Sequence, residues 1–153
     1  MKKAVFAGSF DPITIGHEDL VRRALGLFDQ IVVAVGANSG KNGMFPVEQR
    51  LEWIRQTFAD CDHVEVCAYE GLTTDFCHKV GARYLLRGVR GIIDMAYEQQ
   101  IADLNRRLAP EIETVLLMPR KELVDVSSSA VRELLRYGKP VVDMVPNTVN
   151  ITR

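Results

Sequence analysis

Short apolar runs alternate along the chain with longer stretches in which apolar residues return every three or four positions. Ala4-Val5-Phe6-Ala7 is a continuous apolar run, Leu20, Val21, Ala24, Leu25 and Phe28 recur at helical spacing, and Ile31 to Val35 is again continuous and β-branched. Strand, helix and buried strand therefore follow one another. Val47, Leu51, Ile54 and Phe58 mark a second helix, and His63 to Tyr69 alternates as a third strand. Thr73 is expected to N-cap a short helix running to about Val80. Tyr84-Leu85-Leu86 opens a fourth strand, cut off by Arg87-Gly88-Val89-Arg90-Gly91. The longest helix carries Tyr97, Ile101, Leu104 and Leu108 on one face and stops before Pro110; Thr114 to Met118 is a fifth strand. A last helix begins within Ser127-Ser128-Ser129, buries Val131, Leu134 and Leu135, and ends near Gly138 and Pro140. From Val141 to Arg153 the pattern fades and predicts no role.

Strands that are apolar on both faces and alternate with helices require a parallel sheet covered on both sides and joined by right-handed crossovers. The expected fold is α/β, a doubly wound five-stranded parallel sheet, with 1–153 as a single domain, which a length of 153 residues allows. Ligands of such sheets bind beyond the carboxyl ends of the strands. The conspicuous polar clusters stand there: Ser9 to His17, Gly36 to Lys41, Arg87 to Arg90, and the stretch around Ser127 to Ser129. Four loops at one sheet edge, supplying cations, a histidine and small hydroxyls, suit a phosphorylated ligand.

Composition narrows the partner. With 47% hydrophobic and 25% charged residues, and 19 Lys+Arg against 20 Asp+Glu, the chain has neither the signature of disorder nor a nucleic-acid footprint. Met1-Lys2-Lys3 leads into too few apolar residues for a secretory signal, and no apolar run approaches the length that crosses a bilayer. Cys61, Cys67 and Cys77 are odd in number and lack CxxC spacing, so they read as reduced thiols of a cytoplasmic protein. His63 and His78 have no ligand-like spacing, and no protein-derived metal cage is visible.

Two familiar phosphate motifs are absent. Gly36-Ala37-Asn38-Ser39-Gly40-Lys41-Asn42, in a glycine-rich polar stretch to Pro46 that is expected to form an exposed, mobile loop, imitates a Walker A loop but has three residues between its glycines and Asn42 where Ser or Thr would hold magnesium. No Gly-x-Gly-x-x-Gly opens the first helix. What the first loop contains is Gly8-Ser9-Phe10-Asp11-Pro12 and Thr14-x-Gly16-His17. With Ser127-Ser128-Ser129-x-x-Arg132, these resemble the signatures of the nucleotidyltransferase superfamily. Lys41, Arg87-Gly88-x-Arg90, Asp94-x-x-x-Glu98 and Leu117-Met118-Pro119 extend the likeness nearly end to end. In these motifs the chain resembles the bacterial phosphopantetheine adenylyltransferase family, with Ser9 standing where many relatives have Thr.

That resemblance implies a Rossmann-like fold, usually in a homohexamer, and transfer of AMP from ATP to 4′-phosphopantetheine with release of pyrophosphate. It implies Mg²⁺, delivered with ATP, and admits coenzyme A as a feedback inhibitor. Such transfer builds negative charge on the nucleotidyl group and needs positioning and charge stabilisation rather than a covalent nucleophile. His17, at a helix start, would hydrogen-bond an α-phosphate oxygen; otherwise it is a helix-terminal residue bonding its neighbours. Lys41 and Arg87 would hold the acceptor's phosphate, with a solvated lysine and a structural ion pair as the plainer readings. Arg90 and the amides and hydroxyls of Ser127, Ser128 and Ser129 would receive the β- and γ-phosphates, although a triple serine also caps a helix. By resemblance, Ser9 touches both substrates, and Phe10, Gly88, Val89, Glu98, Leu123, Val124, Asp125 and Val126 adjoin ATP. Spacing alone makes Glu98 a solvated helix charge. Thr73 and Leu72 carry over as contacts to the pantetheine arm, and Asp11 before Pro12 shapes its loop. Two alternatives stay open: another nucleotidyltransferase with a different phosphorylated acceptor, such as nicotinate mononucleotide, and a non-catalytic nucleotide-binding sensor.

Overall fold

The computed structural model describes residues 1–37 and 43–151; Lys41 lies outside the described residues. Strands β1 (Lys3–Gly8), β2 (Gln30–Gly36), β3 (Val64–Tyr69), β4 (Tyr84–Gly88) and β5 (Glu113–Leu117) form one sheet in the order β3-β2-β1-β4-β5. Every pairing is parallel, as strands apolar on both faces require. Helices α1 (Ile15–Ala24), α2 (Val47–Thr57), α3 (Thr73–Val80) and α4 (Ile92–Leu108) connect the strands, and α5 (Ser128–Arg136) follows a 3₁₀ turn at Lys121–Leu123. The chain works outward from β1 to β3 and returns to the other side of β1 with β4. The strand order therefore reverses between β1 and β4, where an open sheet of this kind leaves a crevice.

Alternation along the strands sorts the core into two faces. Ala4 and Phe6 of β1 pack with Leu20 and Val21 of α1, Leu51 and Ile54 of α2, and Val131 and Leu135 of α5. Val5 and Ala7 point the other way, into a smaller cluster with Phe76, Cys77, Ala109 and Ile112. The weakly patterned tail belongs to the first face: Val141, Val145 and Val149 are buried there, and the Met144 carbonyl accepts the Ile15 N–H at 2.9 Å.

Three local expectations change. Arg87 and Gly88 do not interrupt β4 but continue it, pairing with Leu116 and Leu117 of β5, whereas pairing with β1 ends at Phe6–Leu86. The strand thus runs past its β1 neighbour and carries Arg87 to the crevice. Thr73 is the first residue of α3 instead of its cap, which is Leu72 and makes no side-chain capping bond; the Thr73 hydroxyl bonds the Tyr69 hydroxyl at 2.9 Å. In α4 the apolar face is uncovered, with Tyr97, Leu104 and Leu108 exposed at 59%, 52% and 49%, and the helix's buried residue is Glu98.

Candidate active site

The loop from β1 to α1 is shaped by one strained residue and one cap. Phe10 has φ +46°, a left-handed conformation that is costly for a bulky side chain. The strain aims its buried ring edge-on at Phe6, 5.2 Å away, and at His17, 5.0 Å away. Thr14 N-caps α1: its hydroxyl accepts the His17 N–H at 3.3 Å, and the Thr14 N–H donates to His17 Nδ1 at 3.0 Å. An Nδ1 that accepts a backbone N–H leaves the ring proton on Nε2. Burial, and then the charges of Arg87 and Arg90, lower the His17 pKa from 6.5 to about 4. The imidazole is thus held neutral with Nε2–H as its donor.

Across the crevice, β4 and α4 present paired charges. Arg87 donates from Nε and Nη2 to the two oxygens of Glu98 at 2.9 and 2.7 Å, and from Nη1 to the Ala7 carbonyl at 2.6 Å. Three of its five N–H groups are engaged among the described residues, and the other two can meet a ligand oxygen. Glu98 is 5% exposed and is no solvated charge; it is buried because a bidentate guanidinium compensates it. Arg90 donates from its backbone N–H and Nε to Asp94 at 3.1 and 3.0 Å.

The third wall is the start of α5. Ser127 is its N-cap, with Oγ accepting the Ala130 N–H at 3.0 Å, so the capping role of the serine run holds at this position. The Ser128 hydroxyl donates to the Pro12 carbonyl at 2.7 Å. Arg132 donates to the Ser129 hydroxyl at 3.2 Å and to the Asp11 carbonyl at 2.9 Å, which ties α5 to the β1–α1 loop. Arg132 has its signal in the sequence, as the last residue of Ser127-Ser128-Ser129-x-x-Arg132, and Thr14 and Asp94 likewise lie within Thr14-x-Gly16-His17 and Asp94-x-x-x-Glu98.

These walls enclose a cavity of about 410 Å³. It gathers Ser9, Phe10, His17, Arg87, Gly88, Val89, Arg90, Glu98, Leu123, Val126, Ser127, Ser128 and Ser129, together with Arg132. Val124 and Asp125 belong to the same connection but are absent from its lining. A second cavity of about 180 Å³ is lined by Thr73, Tyr69, Asn105 and Thr114 and shares Arg87 and Glu98 with the first. Leu72 is exposed and lines neither. At Gly88 an added Cβ would stand 2.8 Å from Leu20 Cδ1, so a larger residue would crowd the floor of the crevice.

Two helix N-termini, a neutral histidine donor and three arginines around one cavity are suited to a polyphosphate. The carboxylates in its wall, Asp94 and Glu98, are both paired with arginine. Among the described residues no three His, Cys, Asp or Glu come together to hold a metal ion, and no helix is long and apolar enough to cross a membrane.

Residues 5–134 match the cytidylyltransferase-like family model. The chain is 46% identical over 151 residues to the phosphopantetheine adenylyltransferase of Bacteroides thetaiotaomicron, covering 99% of each chain. It is 48% identical over 146 residues to that of Desulforudis audaxviator, covering 95% of this chain and 90% of the relative. The crystal structure of a bifunctional NMN adenylyltransferase/ADP ribose pyrophosphatase from Francisella tularensis matches with a TM-score of 0.73 at 16% identity. That match covers 98% of this chain and 46% of the larger protein, and it bears on the fold alone.

Proposed function

The chain belongs to the phosphopantetheine adenylyltransferase family of cytidylyltransferase-like proteins, and from that premise we propose that it transfers AMP from ATP to 4′-phosphopantetheine. The products are dephospho-coenzyme A and pyrophosphate, and the reaction is reversible. The observation that carries this reading is that Arg87 lines both cavities, while His17 lines the larger one. An acceptor in the small cavity with its phosphate on Arg87 would face an α-phosphate beside His17.

In this scheme an oxygen of the acceptor phosphate attacks the α-phosphorus. The bond from that phosphorus to the oxygen bridging to the β-phosphorus breaks, and pyrophosphate leaves with the bridging oxygen. His17 Nε2–H donates to an α-phosphate oxygen as charge grows there, in a form that needs no proton from solvent. Arg87, with Lys41, holds the acceptor phosphate and offsets its repulsion from ATP. Arg90 and the Ser127 to Ser129 segment receive the departing phosphates at the positive end of α5. Thr73 faces the acceptor's arm. With both wall carboxylates paired to arginine, the described residues offer no cage for Mg²⁺, which would arrive on the triphosphate and screen its charge. We further propose one domain over the whole chain, a cytoplasmic setting, and a homohexamer, the last supported by the uncovered apolar residues of α4. Coenzyme A, which contains the product's skeleton, would compete for the same site.

The test is to mix protein, Mg·ATP and one acceptor at a time from 4′-phosphopantetheine, pantetheine, nicotinate mononucleotide and glycerol 3-phosphate, and to measure pyrophosphate. Release is expected with 4′-phosphopantetheine alone, and ATP should form when dephospho-coenzyme A and pyrophosphate are supplied. Turnover with nicotinate mononucleotide, or equal rates with and without the pantetheine phosphate, would overturn the assignment.

A further inference from the structure

Asp11 and Arg50 take no part in the substrate contacts proposed above, yet they are 5% and 6% exposed. Their polar atoms are turned onto backbone. The Asp11 carboxylate accepts the Met44 N–H through one oxygen at 2.7 Å and the Phe45 N–H through the other at 2.9 Å. Arg50 donates from Nε to the Phe45 carbonyl at 2.9 Å and from Nη1 to the Ser9 carbonyl at 2.8 Å, and its Nε lies 3.8 Å from Asp11 Oδ1. At Gly43 an added Cβ would stand 2.7 Å from Asp11 Oδ2 and 3.1 Å from Arg50 Nη2, so the chain passes too close for a side chain. One acid and one base join the loop after β1 to the segment before α2.

Stability alone does not account for such a pair. Burying two charges costs their hydration, and an apolar pair of similar volume is often as stable or more so. What the charged pair does, and an apolar one does not, is fix four backbone groups: the Met44 and Phe45 N–H groups and the Phe45 and Ser9 carbonyls. Ser9 lines the large cavity. We propose that Asp11 and Arg50 are positioning residues that act as one unit, seating Gly43 to Phe45 against the Gly8 to Asp11 loop and so setting where Ser9 meets the phosphates. The kinetic consequence rests on the transfer reading; the seating rests on the hydrogen bonds alone.

The protein carries its own reporter. Trp53 is the single tryptophan of the chain, is buried, and packs edge-on against Phe45 with ring centres 4.9 Å apart. If the pair is broken, Phe45 is released and Trp53 becomes more accessible.

The experiment compares wild type with Asp11→Asn, Arg50→Lys and the double variant. Asn presents an NH₂ to one of the two backbone donors, and Lys lacks the fork that reaches two carbonyls. Acrylamide quenching of Trp53 should rise in every variant while far-UV circular dichroism is unchanged. The kcat/KM for 4′-phosphopantetheine should fall about tenfold to a hundredfold in each single variant, the scale for a small misplacement of a reacting group. The double should lose no more than about threefold beyond the worse single, because a unit broken once is already broken. Unchanged quenching overturns the seating. Single variants that keep kcat/KM within about threefold while only their melting point falls, or losses that multiply in the double, overturn the positioning role. Should Asp11→Asn not fold, Gly43→Ala keeps both charges and forces them aside, and the same quenching and kinetic pattern is expected of it. Absence of turnover by the wild type would instead count against the transfer reading, and quenching would then decide the seating by itself.

Discussion

The β1–α1 loop and the β4–α4 junction face each other across the cavity and are built on opposite plans. In the loop, backbone is gripped by side chains: the Ser9, Asp11 and Pro12 carbonyls accept from Arg50, Arg132 and Ser128. Thr14 and His17 cap one another. At the junction, charged side chains are held by carboxylates of α4 and stay partly open, with Arg87 and Arg90 side chains 32% and 42% exposed. The gripped loop offers one neutral donor in a fixed place; the junction offers full charges with N–H groups to spare. A reacting centre gains from a donor already aimed where charge develops, whereas binding a polyanion gains from full positive charges with N–H groups left to donate. The two regions should therefore fail differently when altered.

The largest effect is expected on the gripped side. His17→Ala should lower turnover by at least about a hundredfold, the scale for removing one oxyanion-type donor, with little change in ATP affinity. Pyrophosphate release under saturating substrates measures the first, and calorimetric titration with ATP the second. Near-normal turnover would remove His17 from the mechanism and the contrast with it.

At the junction the loss should move from turnover to binding. Arg87→Ala should raise the acceptor KM by about 10- to 100-fold, as expected for a charge-assisted bond of about 1.5–3 kcal/mol, with a smaller change in kcat. That variant strands the buried Glu98 without its partner, so Arg87→Ala/Glu98→Ala is the cleaner comparison: it removes the cation and leaves no orphan charge. A drop confined to kcat in both variants would erase the distinction between the two walls.

The junction and the loop also differ in how far the sequence revealed them. The sheet and its order of elements followed from apolar runs and helical spacing, because both faces of β1, β2 and β4 are covered and the periodicity is clean. Three of the four strand-end clusters, Ser9 to His17, Arg87 to Arg90 and Ser127 to Ser129, line the large cavity, since loops at the carboxyl ends of parallel strands converge; Gly36 does not line it, and Lys41 lies outside the described residues. What spacing misjudged were residues whose surroundings come from afar. Glu98 looks solvated on a helical wheel and is buried because Arg87, on a strand, reaches it. Arg50 sits one residue before Leu51 on α2 with nothing local to mark it, and its partners come from the loops at Ser9 and Phe45. The valines of the tail are buried through turns, which have no period to read. Residue type shows local pattern, and these partnerships are set by tertiary approach.

The smallest expected effect is a pH response that stays flat where an ordinary histidine titrates. Burial, Arg87 and Arg90 disfavour the His17 imidazolium in the folded chain and take its pKa from 6.5 to about 4, while the unfolded chain keeps the ordinary value. At pH 5 about nine-tenths of folded His17 would still be neutral, against only a few per cent of an unperturbed histidine. An NMR titration of the His17 ring should accordingly show little change between pH 7 and 5. Linkage fixes the sign of the stability effect. Between pH 6.5 and 4 the unfolded chain binds a proton at this position that the folded chain does not, so stability falls as the pH drops through that window and is unaffected above it. Denaturant unfolding of wild type and His17→Gln at pH 7.5 and pH 5 isolates the contribution, because the variant lacks the titrating ring while other groups are shared. The wild type should lose more stability than His17→Gln on acidification. An equal loss in both, or a ring that protonates near pH 6.5, would mean that the gripped loop does not hold His17 neutral and that both walls of the cavity present full charges below that pH.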